Sequence, residues 1–336
     1  MILSKRWRFL WTMLPKLEYT ESNEGGTSIW DLLEKSLQLH KAPSVESLRI
    51  MLGPQCPVDV DVGKWVSNAV DRYVRELTLS LSFLSDPASK RLYTSKTLVK
   101  LNLMGKILVD VPSAACLPSL QSLLLVNVVY KDQDSHVRLL LSCPVLRYLL
   151  VIRNKSDNVT RFIVKIPSLR RLKYIDSQSL EKNGSGRSLV IDSPGLNYLS
   201  IIDSLGGNFS IQNMPCLEKA IVSLYGFYPN DKFLTSFSSV KYLYLAHIKV
   251  ASCSTINFSR LIEFQLILPS QPFIDHVPLS WNQPSSVPRC VLSHLEILEW
   301  KLFEGRREEK QLLAYILENS EVFEDGGNLT DTFHEC

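Results

Sequence analysis

With 336 residues, 45% apolar and 21% charged, the chain has the composition of a folded protein of one large or two ordinary domains, which excludes disorder as its main state. Its 37 basic and 34 acidic residues leave a net charge of +3, too small and too mixed to argue for nucleic acid as a partner. No stretch approaches the ~18 consecutive apolar residues of a membrane span, so no membrane partner is expected.

The chain opens MILSKRWRFLWTMLP, with two tryptophans, a basic cluster and no acid. Its apolar stretch FLWTML is shorter than a secretory signal core, and no small-residue cleavage site follows. Three basic residues among aromatics are also a small footprint for nucleic acid or lipid.

From residue 45 onward a frame L-x-x-L-x-L recurs, with other apolar residues allowed. It reads Val45-Leu48-Ile50, Val74-Leu77-Leu79, Leu98-Leu101-Leu103, Leu120-Leu123-Leu125 and Leu146-Leu149-Val151. It continues as Leu169-Leu172-Tyr174, Leu196-Leu199-Ile201, Leu217-Ala220-Val222, Val240-Leu243-Leu245 and Leu261-Phe264-Leu266, with a last copy at Leu295-Leu298-Trp300. Six copies begin with proline two residues before the first frame position (APSV, LPSL, CPVL, IPSL, SPGL, MPCL), which suits a strand entry because proline lacks an N–H and fixes φ. The frame alternates with strand periodicity, and the spacing is that of leucine-rich repeats. The expected fold is therefore α/β: a leucine-rich-repeat solenoid, with a curved parallel sheet on one side and helices or loops on the convex side. No unit can bury its apolar face alone, so the copies must stack.

Residues between frame positions point away from that core. In the middle repeats they include Leu124, Tyr148, Leu150, Tyr198, Tyr242 and Tyr244, a candidate partner patch for an unknown target protein. Early repeats carry Glu76-Thr78-Ser80 and Lys100-Asn102-Met104 there instead.

The segment 269–287 is proline-rich and reads as a linker. Beyond it, LEILEWKL predicts a strand, FEGRREE a charged turn, and Leu312, Leu313, Ile316 and Leu317 one face of a helix that caps the repeats. The polar, glycine-containing stretch 321–336 predicts a frayed tail.

Seven cysteines lie scattered with no CxxC pair, and six histidines lie far apart. They predict reduced, mostly buried thiols in a cytoplasmic or nuclear protein, with Cys116, Cys143, Cys216 and Cys290 near strand entries. Six N-x-S/T triplets support secretion only weakly, since such triplets arise by chance. HExxH, GxSxG, P-loop and GxGxxG motifs are all absent from the sequence, so binding and not catalysis is expected, with no metal and no cofactor.

Three features together resemble the plant family of F-box proteins with leucine-rich repeats and a C-terminal FBD domain. LSKRWRFLW resembles the closing segment of a plant F-box, through Leu3, Ser4, Lys5, Arg6, Trp7, Leu10 and Trp11. The P-x-L-x-x-L-x-L copies resemble the family's repeats. CVLSHLEILEWKLFEGRREEKQLLAYILENS resembles the start of an FBD domain, including Glu308 and Glu309 at the helix start.

The resemblance divides the chain into an F-box remnant (1–15), a repeat solenoid (16–268), the linker (269–287), a shortened FBD domain (288–320) and the tail (321–336). It implies the substrate-recognition subunit of a Skp–cullin–F-box ubiquitin ligase, with a Skp-type adaptor on the N-terminal side. In that role the chain raises the concentration of its target near a conjugating enzyme and does no bond chemistry itself. Because the leading part of an F-box is not seen before LSKRWRFLW, the alternative is a repeat-based binding module without ligase coupling.

Overall fold

The computed structural model describes residues 10–21, 29–54, 56–57, 60–85, 90–153, 157–176, 187–203, 208–212, 214–224, 231–246, 258–267, 294–303, 305–319 and 328–332. They fall into two compact units, Met1–Leu169 and Arg170–Cys336.

The first unit begins with a 3-10 turn, Leu10–Met13, followed by β1 (Lys16–Thr20), α1 (Ile29–Leu39), β2 (Ser47–Leu52), α2 (Val62–Asp71) and β3 (Glu76–Ser85). After a second 3-10 turn, Leu92–Thr94, come β4 (Lys100–Val109), β5 (Ser122–Val126), β6 (Val129–Tyr130), α3 (Ser135–Leu141), β7 (Tyr148–Ile152) and β8 (Arg161–Val164). β1, β2, β3, β4, β5 and β7 pair in that order, every pair parallel.

In the second unit the elements are β9 (Arg171–Asp176), β10 (Ser188–Ile191), β11 (Tyr198–Asp203), β12 (Asn208–Ile211), β13 (Lys219–Leu224), α4 (Asp231–Thr235), β14 (Tyr242–Ala246), β15 (Glu263–Ile267), β16 (Ile297–Lys301), α5 (Arg307–Glu318) and β17 (Asn328–Thr332). Its parallel ladder runs β9, β11, β13, β14, β15, β16, β17. Short helices and a second layer of short strands connect successive rungs, and this is the leucine-rich-repeat solenoid that the frame predicts.

Every frame residue of all eleven copies is buried, none more than 6% exposed. Each buried leucine, isoleucine or phenylalanine contributes ~1.5–3 kcal/mol over an exposed one, so the columns of frame residues are the core. Between rungs one carbonyl accepts two N–H groups from the next repeat. Examples are Arg75 O from Val99 and Lys100, Gln121 O from Arg147 and Tyr148, Asn197 O from Glu218 and Lys219, and Glu218 O from Lys241 and Tyr242.

The prolines act one step earlier than a strand entry. The N–H of the first frame residue donates to the carbonyl of the residue before proline: Leu120 to Leu117, Leu146 to Cys143, Leu169 to Ile166, Leu196 to Ser193 and Leu217 to Met214. Proline thus occupies the second position of a β-turn, where its fixed φ is pre-set. The residue before it is buried in all six copies: Ala42, Leu117, Cys143, Ile166, Ser193 and Met214. This corrects the cysteine expectation. Cys143 stands before its proline and is buried, whereas Cys116 stands two residues ahead of one and Cys216 follows one, and both are exposed.

Two strands lie outside the eleven copies. β1 turns Leu17 and Tyr19 inward, and the carbonyl of Pro15 accepts the N–H groups of Glu46 and Ser47 as later rungs do. His40 ties this rung down, its Nε2–H donating to Leu14 O at 2.8 Å while Nδ1 accepts from Arg72 at 2.7 Å. At the other end, Asn328–Thr332 is not a frayed tail. It forms β17, because its backbone finds unpaired partners along β16 from Ile297 to Lys301. In α5 the buried residues are Glu309, Leu312, Tyr315 and Ile316, while Leu317 is exposed. The predicted face is therefore rotated toward Tyr315. Glu309 accepts the N–H of Arg306 at 2.9 Å, satisfying a donor that the helix start leaves free. The linker 269–287 lies outside the described residues.

α2 ends in a Schellman motif, with Val74 N–H donating to Ala69 O and Tyr73 N–H to Val70 O. That geometry puts Tyr73 at φ +59°, where a side chain costs roughly 1 kcal/mol, and the residue is 65% exposed.

His136 is fully buried between α3 and β8, its ring stacked on Phe162 at 4.4 Å and edge-on to Tyr130. Its Nε2 accepts the N–H of Ile163 at 3.0 Å, which requires the neutral ring. Burial pulls its pKa down from 6.5 to about 4, aided by the nearby Arg153 charge and opposed by the charges of Asp157 and Asp134. The unfolded chain therefore holds the extra proton between pH 6.5 and about 4, and stability falls as pH drops through that window. Urea unfolding across that range is expected to show a loss of at most ~3 kcal/mol from this group. His136→Gln, which keeps an acceptor for Ile163, should remove that loss; an unchanged acid dependence would refute it.

Candidate protein-interaction surface

Residues between frame positions form the outward face of each ladder. In the first unit that face changes character along the strands. On β1–β4 it is charged and internally paired, with Lys16–Glu46 at 3.5 Å, Arg49–Glu18 at 3.7 Å and Lys100–Glu76 at 2.7 Å. Such pairs neutralise one another and contribute little to stability. On β5 and β7 it turns apolar. The register sets Leu124 beside Leu150 and Ser122 beside Tyr148, and all four are half-buried. The sequence-predicted Leu124, Tyr148 and Leu150 thus form one cluster.

In the second unit the first outward row reads Arg171, Tyr198, Lys219, Tyr242 across β9, β11, β13 and β14. The next row reads Lys173, Ser200, Ile221, Tyr244. Tyr242 is exposed, while Tyr198 and Tyr244 are half-buried. The structure therefore keeps the predicted tyrosines on one face but puts Lys219 between Tyr198 and Tyr242. Reading sequence for aromatics alone missed Arg171, Lys173 and Lys219; the same two-residue alternation on β9 and β13 points to them.

Leu3, Ser4, Lys5, Arg6 and Trp7 lie outside the described residues. Leu10 and Trp11 begin the first 3-10 turn, and nothing further is described of their side chains. The 3-10 turn itself is held by the carbonyl of Thr12, which accepts Lys41 N–H at 2.7 Å and Ala42 N–H at 3.1 Å.

Among the described residues no group of histidine, cysteine or carboxylate side chains is placed to hold a metal ion. Burial pushes the Cys143 thiol up to about 11, so it stays protonated and is a poor nucleophile near neutral pH. Among the described helices none is long and apolar enough to cross a membrane.

Stacked parallel rungs, inward apolar triads and turn prolines define a leucine-rich-repeat protein. Residues 62–184 match the family described as "FBD-associated F-box protein At5g56370, LRR repeats", and residues 283–325 match the FBD family. The chain is 45% identical to the FBD-associated F-box protein At1g05080 of Arabidopsis thaliana, over 95% of this chain and 82% of that protein. It is 36% identical to the F-box/FBD/LRR-repeat protein At4g26340 of the same plant, over 95% of this chain and 84% of that protein. The chain belongs to the plant F-box/FBD/LRR-repeat family, whose members are protein-interaction proteins of F-box type. No solved structure matches it.

Proposed function

We propose that the chain is the substrate-recognition subunit of a Skp–cullin–F-box ubiquitin ligase. Its N-terminal segment, Leu3 to Trp11, faces a Skp-type adaptor, and the outward faces of the repeat strands hold the target protein. Family membership supports the coupling to an F-box-type assembly. The single observation that carries the binding role is the outward face, where Leu124, Tyr148, Leu150, Tyr198, Tyr242 and Tyr244 line strands whose opposite face is fully used as core. Large side chains on a rigid sheet bind with little loss of conformational freedom.

Purified chain mixed with a Skp-type adaptor should co-elute with it on gel filtration. Tyr148→Ala and Tyr242→Ala should leave that complex intact and weaken target capture. Failure to co-elute, with co-elution restored by a complete F-box placed before Met1, would leave a binding module without ligase coupling. Target capture that survives both tyrosine substitutions would move the binding face elsewhere.

A further inference from the structure

We propose that the outward face of β9, β11, β13 and β14 is a docking strip for an acidic, extended segment of a partner protein. The inference rests on the target-holding role proposed above and specifies the chemistry of what is held. Three cations stand on this face with no counter-ion among the described residues. Arg171 lies over the Tyr198 ring at 5.5 Å, Lys173 approaches the same ring at 6.0 Å, and Lys219 approaches Tyr242 at 6.0 Å. The outward positions of the four strands (Arg171, Lys173, Ile175; Tyr198, Ser200, Ile202; Lys219, Ile221, Ser223; Tyr242, Tyr244, Ala246) include no acid.

The contrast with the first unit gives this its meaning. There, Lys16, Arg49 and Lys100 on β1, β2 and β4 each meet a carboxylate of a neighbouring repeat at 2.7–3.7 Å. Here the neighbours are tyrosine rings. A ring face orients a cation but does not cancel its charge, so the field stays available to an incoming anion. Two carboxylates on or beside these strands are otherwise engaged: Glu218, just ahead of β13, pairs with Lys241 at 3.4 Å, and Asp176 is buried against Arg187 at 3.1 Å.

The dimensions fit a short peptide. Adjacent rungs are ~4.8 Å apart, so Arg171 and Lys219, two rungs apart in one row, stand ~10 Å apart. In a segment laid across the strands in the extended polyproline II form, with about three residues per turn and ~3.1 Å rise per residue, carboxylates three residues apart share one face and are separated by ~9 Å. Aliphatic or aromatic side chains between them would rest on Tyr198, Tyr242 and Tyr244. A nucleic-acid backbone fits less well, because the next rungs turn acidic outward at Glu263 and Glu299 and would repel phosphates continuing along the face.

The test selects displayed random 12-residue peptides on the immobilised full chain, then titrates recovered peptides by fluorescence anisotropy. Peptides carrying two or more Asp or Glu, commonly three residues apart, should be enriched. Affinity should fall at least ~10-fold in Arg171→Gln/Lys173→Gln/Lys219→Gln, and again when salt rises from ~0.1 to ~0.5 M. The three side chains are surface groups, so unchanged circular dichroism and melting temperature will show that the variant folds; Lys219→Glu alone serves as the second variant, with the same direction expected. Enriched peptides without acids that lose binding on Tyr242→Ala would overturn the acidic partner and leave the target-holding role standing. Recovery of no peptide would overturn both. Retention of a U-rich 15-mer RNA that the triple variant abolishes would assign the strip to nucleic acid and overturn the proposal.

Discussion

Gly105→Ala is expected to destabilise the first unit by ~3 kcal/mol or more, read as a lowered urea midpoint with an unchanged slope. Gly105 is the corner of β4. Residues before it pair with β5, and Leu108 and Val109 beyond it pair with β6. The β3–β4 register shifts at the same place, from Leu81↔Gly105 to Ser85↔Ile107. Turning that corner takes φ to +85°, and a Cβ there would lie 2.1 Å from the Leu81 carbonyl oxygen. Left-handed backbone alone costs an alanine ~1 kcal/mol, and relieving a clash with main chain adds ~1–3 kcal/mol because the ladder itself must shift. Gly305→Ala separates the two causes. It has a similar φ of +71°, but its nearest neighbour is the flexible Lys310 Cε at 3.3 Å. That variant should lose only ~1 kcal/mol. Equal losses at the two sites would mean that the clash at Leu81 contributes nothing.

The core was legible because alternation is a two-residue code that one apolar side chain per position suffices to write. Each triad from Val45-Leu48-Ile50 to Leu295-Leu298-Trp300 is buried as its spacing predicts. β1 and β17 were not legible for a physical reason. At a sheet end, main-chain hydrogen bonds select the strand, and these are available to any sequence able to extend, such as KLEYT or NLTDT. Leu17 and Tyr19 supply only two inward residues, too few to stand out as a copy. The depth of the cysteines was misjudged because nearness to a strand entry is not register: the position just before the turn proline points inward, whereas the positions two before it and one after it, held by Cys116 and Cys216, do not. The partner face was half legible. Leu124 and Leu150 meet because neighbouring rungs keep the same frame, whereas the importance of Lys219 emerged only once Tyr198 and Tyr242 were placed on either side of it.

Buried charge at the strand exits is the feature most at odds with an apolar code, and it yields the second large effect. Two residues past the inward triad, where β2 and β3 carry Leu52 and Leu81, β7 is followed by Arg153, and its side chain is completely buried. Its guanidinium donates through Nη2 to Asp157 Oδ1 at 2.7 Å and to the carbonyl of Val159, and it faces the Phe162 ring at 5.5 Å. Asp157 Oδ1 also accepts the N–H of Val159 at 2.8 Å, so the pair closes the connection from β7 to β8. An ion removed from water is tolerated only while paired and fully hydrogen-bonded. Asp157→Leu, which strands the guanidinium, should therefore cost ~3–5 kcal/mol, and Arg153→Met a similar amount. Replacing both, Arg153→Met with Asp157→Leu, removes the stranded charge and should cost far less than the sum of the single changes. The measurement is a double-mutant cycle by urea unfolding at neutral pH and moderate salt. Strong coupling is expected, with the double variant more stable than either single variant. Simple additivity would show instead that each side chain stabilises the connection through its own backbone contacts, and that their mutual charge does not matter.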